Sequence, residues 1–167
     1  MSLITLFQIG QAVAVIFGVA FGVLKLRQVR AVKQRESMFA LVRSLQTREM
    51  LIALDLLDDL PQGLSRSDLR HRLGDHFADL QLLLGTWESL GIMVYYREVS
   101  LDLVDEFHSG PIVHSWSKLR RLVDDVRRET NRETRCEWFK WLAERMLDRE
   151  SNALPVPAYV AHRKWSK

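Results

Sequence analysis

The side chains able to do acid–base, nucleophilic or metal chemistry are five histidines, one cysteine and several clustered carboxylates, and their spacing organises none of that chemistry. His71 and His76 stand five apart, and His108 and His114 six apart. Neither spacing puts two imidazoles on one helical face, where they could share a metal. Cys136 lies between Arg135 and Glu137 with no evident base to activate it, so it reads as structural. Asp55, Asp58 and Asp59 fall on one helical face, but no turn supplies the carbonyl ligands a hard cation needs. They read as a solvated acidic edge. Asp124, Asp125 and Glu129, facing Arg127 and Arg128, read as ordinary charge patterning. The sequence contains no glycine-rich phosphate loop, nucleophile elbow or HExxH. It predicts no catalytic, cofactor-binding or metal-binding residues, and a protein that is not an enzyme.

The elements are more informative than the chemistry. The first 24 residues carry no charged side chain, and the following KLRQVRAVKQR carries five Lys/Arg and no acid. Leu3 to Leu24, with only Thr5, Gln8 and Gln11 polar, would span roughly 33 Å as a helix, enough for a ~30 Å hydrocarbon core. A cleavable signal peptide would place its positive charge before the apolar run and a small-residue site after it. Here the charge follows, so residues 1–24 predict an uncleaved transmembrane anchor. Lys25, Arg27, Arg30, Lys33 and Arg35 form a basic juxtamembrane collar (25–35) suited to lipid headgroups. By the positive-inside rule it leaves the N-terminus outside and the C-terminal bulk in the cytoplasm.

Gly10, Ala14, Gly18 and Gly22 recur every fourth residue and make a ridge of small side chains along the anchor. Close backbone approach along such a ridge permits tight helix packing in lipid. The expected partner is a second copy or another membrane protein.

Without the collar the chain is not basic. Residues 36–150 hold 16 basic and 21 acidic side chains, a net −5, so the overall +3 describes the collar and the C-terminus. Nucleic acid is not an expected partner of such a body. Residues 36–150 suffice for one small domain, and a lone cysteine excludes an internal disulfide.

The periodicity predicts an all-α fold: a transmembrane helix continuing into a small cytoplasmic bundle, with at most one short β-hairpin. One helical run presents Met38, Leu41, Leu45, Ile52 and Leu56, breaks near Thr47, and stops at Pro61-Gln62-Gly63. Ser65 with Asp68 forms a capping-box start. A helix from Asp75 to Leu90 would bury Phe77, Leu80, Leu84 and Trp87, with Gly91 as its stop. Ile92 to Val99 has the only β character, and Ser100 would cap a short helix to His108. Ser109-Gly110-Pro111 reads as a boundary, followed by a helix to about Thr130 burying Ile112, Trp116, Leu119 and Val123. The last helix, Thr134 to Arg149, presents Trp138, Trp141, Leu142 and Met146. Residues 151–167 read as an irregular tail with Pro155 and Pro157, in which Tyr159, Arg163, Lys164 and Trp165 combine interface-seeking rings with cations.

Residues 64–100 resemble a winged helix-turn-helix in outline. The would-be reading helix, however, carries Asp75, Asp79 and Glu88 and no Lys or Arg, which sets carboxylates against phosphates.

Leu90-Gly91-Ile92, the acidic stretch Leu101 to Phe107, Gly110-Pro111-Ile112 with Trp116, Arg127, and Trp138-Phe139-Lys140-Trp141-Leu142 occur in an order that resembles a family of short bacterial proteins classed as a domain of unknown function. The resemblance implies a membrane-anchored helical domain and carries no catalytic residues. The expectation is a single-pass protein of the bacterial inner membrane acting as an interaction or assembly module, as a homo-oligomer or an accessory subunit. The alternative is a membrane-tethered DNA-binding regulator.

Overall fold

The computed structural model describes residues 3–152 and 156–166; within the first helix, side chains are described at 11, 14–29, 32–33, 36, 39–40, 42–43 and 45. Among these residues the chain is all helical, without a strand. It forms two compact units, divided between Val42 and Arg43.

The first unit is one helix. α1 (Leu3–Leu45) runs 43 residues, uninterrupted by any proline. Among the described residues, no helix is long and apolar enough to cross a membrane. The side chains at 3–10, 12 and 13, almost half of the apolar run, lie outside the described set. Gly10 falls in that stretch, the side chains of Arg30, Arg35, Met38 and Leu41 are likewise outside the described set, and Pro155 lies outside the described residues altogether.

The second unit takes in the last residues of α1 and then the expected break. Thr47 Oγ1 accepts from Met50 N (3.3 Å) and starts α2 (Arg48–Asp59). The buried face of α2 is Met50, Ala53 and Leu57 rather than Ile52 and Leu56, because the break resets the helical phase. α3 (Arg66–Leu73) opens with the predicted capping box, Ser65 and Asp68 each bonding the other's backbone N–H. Gly74, at φ +54°, turns the chain through one 3₁₀ turn into α4 (Phe77–Tyr95). There Leu80, Leu83, Trp87, Leu90 and Val94, alternately three and four residues apart, face α2 and α6. α5 (Leu101–Thr130) ends on left-handed Asn131, and α6 (Glu137–Asn152) and the short α7 (Ala158–Ala161) follow.

Three expectations give way to packing. Gly91 does not stop α4: it is buried in it, and a Cβ there would lie 2.8 Å from the Trp138 carbonyl carbon and closer still to its oxygen. It is the point where α4 and α6 touch backbone to backbone. Ile92 to Val99 is no strand but the last turn of α4 followed by a tight turn, with Glu98 N and Val99 N both donating to Met93 O. Finally, Ser109-Gly110-Pro111 is no boundary, since α5 runs straight through Pro111. A helix-interior proline costs ~3 kcal/mol or more. Val104 and Ile112, both fully buried on either side of it, are worth ~1.5–3 kcal/mol each. Arg149 further ties the first turns of α5 to α6, through Asp102 (2.7 Å) and Asp105 (3.1 Å).

α6 itself starts at Glu137, three residues later than expected. Its fully buried anchors are Phe139, Leu142, Ala143 and Met146; Trp138 and Trp141 are half-buried and stack with Tyr95 at the surface. Trp116 is likewise half-buried, edge-on to Phe139. Trp87 lies at the centre, fully buried, its indole N–H donating to Ser115 Oγ at 3.1 Å.

Candidate functional site

The chemistry-bearing side chains stay dispersed. His76 Nδ1 is 2.9 Å from Asp79, and His114 Nε2 is 3.1 Å from Asp58 Oδ1. His108 is half-buried against Trp87, and that burial holds its imidazole below the usual pKa. Among the described residues no group of three His, Cys, Asp or Glu side chains could hold a metal ion. One expectation changes here. Asp125 is not mere surface patterning: its mostly buried carboxylate accepts from Arg66 N (2.9 Å), fixing the start of α3 to α5, and pairs with Arg121 and Arg128.

One cleft does gather polar groups. It encloses about 450 Å³ between α4, α5 and the turn before α6. Leu84 and Gly85 from α4 and Val123 and Val126 from α5 give it an apolar floor. Gln81, Glu88, Arg66, Thr134, Arg135 and Cys136 stand around that floor. The turn is pinned from beneath by Arg127, which donates to Arg135 O (2.8 Å) and Cys136 O (3.4 Å). Such pinning holds Cys136 at φ +53°, a conformation non-glycine residues seldom adopt.

Glu88 closes the inner end. Its Oε2 accepts from Phe139 N at 2.8 Å, so a carboxylate 51 residues away caps the first turn of α6. Burial pushes the Glu88 carboxyl above the usual carboxylate range, against the pull of those backbone N–H groups. Burial also raises the Cys136 thiol, with the Glu88 charge adding to the effect. Nothing local in the sequence marks Glu88 as a cap.

The other predicted site residues lie on helix surfaces. Ala14 and Gly18 are exposed, and a Cβ added at Gly18 or Gly22 would meet nothing within 4 Å. Lys25, Arg27 and Lys33 are exposed. In the tail, Tyr159 and Trp165 are 80% and 72% exposed, and Arg163 and Lys164 stand between them in the same exposed segment. The proposed reading helix, α4, is instead the buried centre of the second unit. Its exposed positions, Ala78, Gln81, Leu82, Gly85, Ser89, Ile92 and Tyr95, include no charge.

A family model for a domain of unknown function, DUF4760, matches residues 6–146, and the chain belongs to that family. Comparison with curated proteins and with solved structures finds no match.

Proposed function

We propose that this DUF4760 protein is a membrane-anchored interaction or assembly module, with α1 seated in a bacterial inner membrane and the second unit meeting its partner on the cytoplasmic side. The observation that carries the reading is the surface of α1. Val15, Ile16, Phe17, Val19, Phe21, Val23 and Leu24 are between 46% and 71% exposed, and at about 100° per residue they cover roughly two thirds of the helix surface, the rest holding the small, uncharged Ala14, Gly18 and Gly22. A helix apolar on every side belongs in lipid or within protein. The sequence continues that surface back to Leu3 and follows it with the basic collar, which supports an N-terminus outside and a cytoplasmic second unit.

The open ridge at Ala14, Gly18 and Gly22 supports association of the anchor with itself or with another membrane helix. The uncharged strip on α4 supports a protein partner for the second unit over a nucleic acid, which would need cations there. Full-length chain with Gly18→Leu and Gly22→Leu should lose most of its signal in a membrane two-hybrid assay. An unchanged signal would remove the ridge as an interface.

A further inference from the structure

We infer that the cleft between α4, α5 and the Thr134–Cys136 turn binds a small organic anion with an apolar body. Its volume of about 450 Å³ lies within the ~300–1,000 Å³ of small-molecule sites. The apolar lining is open at Gly85, an exposed position with no side chain, where a built Cβ would meet nothing within 4 Å. That space accepts an apolar group without displacing any part of the protein.

The rim supplies the charge. Arg135 makes no side-chain hydrogen bond or ion pair among the described residues, and neither do Gln81 and Thr134. Arg66 brings a second guanidinium, which uses Nη1 on Glu129. Glu129 is spent on Arg66, and Glu88 has its carboxyl turned into the start of α6, which leaves Arg135 as the uncommitted cation. The cleft therefore sets one uncommitted guanidinium, that of Arg135, beside an apolar lining. A guanidinium fork binds a carboxylate or a phosphate with two parallel hydrogen bonds. The N-terminus of α6 is not the anion's seat, because Glu88 already occupies it.

Carboxylate and phosphate share this chemistry, and the ligand is either a free solute or an anionic lipid headgroup. The test uses the full chain in nanodiscs of zwitterionic lipid, titrated with 4-fluorobenzoate and with 4-fluorophenyl phosphate and followed by ¹⁹F NMR. Saturable binding of at least one probe at millimolar or lower concentration is expected. Arg135→Ala should weaken it about tenfold or more, the scale of a lost charge-assisted hydrogen bond. Gly85→Leu should abolish it by filling the floor, while Arg132→Ala, outside the cleft, should leave it unchanged. Repeating the titration with anionic lipid in the disc separates the sources. A fall in apparent affinity marks the headgroup as competitor, and an unchanged affinity marks a free solute. Absence of saturable binding of either probe, or binding indifferent to both Arg135→Ala and Gly85→Leu, would overturn the site.

Discussion

Gly91 on α4 and Trp138 on α6 meet backbone to backbone: a Cβ at Gly91 would stand 2.8 Å from the Trp138 carbonyl carbon and closer still to its oxygen. No side chain can rotate away to relieve that contact. Gly91→Ala should therefore separate the two helices and cost ~1–3 kcal/mol, the scale of overpacking in a closed core. Gly85→Ala, six residues earlier on the exposed side, should gain up to ~1 kcal/mol, because helix propensity improves and nothing is struck. Urea unfolding of both variants checks the contrast, and equal effects would contradict it.

Glu88 predicts a pH dependence. Its folded pKa is raised above the ordinary 4.5, so the folded state holds this proton more tightly than the unfolded chain does. The group's contribution to stability is full below 4.5 and declines as pH rises through the folded pKa. Gln keeps a carbonyl oxygen for Phe139 N and removes the titration. Stability of Glu88→Gln relative to the parent should thus increase from about pH 4.5 upward. Denaturant midpoints measured at about pH 4.5 and about pH 8 test this, and parallel shifts would argue against it.

The buried Trp87–Ser115 bond sits where water cannot replace it. Ser115→Ala strands the indole N–H and should cost ~1–3 kcal/mol. Adding Trp87→Phe to Ser115→Ala should cost less than the two single changes summed, since the donor has then gone as well. A double-mutant cycle by thermal unfolding reads the coupling directly.

Cys136 is half-buried and its thiol is held in the neutral form by that burial. It should react slowly with a thiol reagent near neutral pH. Arg127 holds the turn through two backbone carbonyls, so Arg127→Ala should free the turn and speed the reaction severalfold. An unchanged rate would mean that the turn is held by other contacts.

The features legible in the sequence are those decided within a few residues. The Ser65–Asp68 capping box, the break at Thr47 and the stop at Pro61 need only local hydrogen bonding or a missing N–H, and each stands where the spacing puts it. Gly91, Pro111 and Asp125 mislead because partners more than a turn away decide them. Gly91 resembles a C-terminal stop until Trp138 packs on it. Pro111 resembles a boundary until Val104 and Ile112 bury on one face. The cleft is illegible for the same reason: Glu88 and Cys136, 48 residues apart in sequence, meet only when α4 and α6 pair.

The most direct test of the account is whether the full-length chain resists alkaline carbonate extraction from bacterial membranes, with Tyr159→Cys in a Cys136→Ser background reporting which side the second unit occupies. The account predicts a pelleted protein whose introduced thiol reacts with an impermeant maleimide only after the cells are opened. Release into the carbonate supernatant would contradict the anchor, and labelling in intact spheroplasts would reverse its orientation.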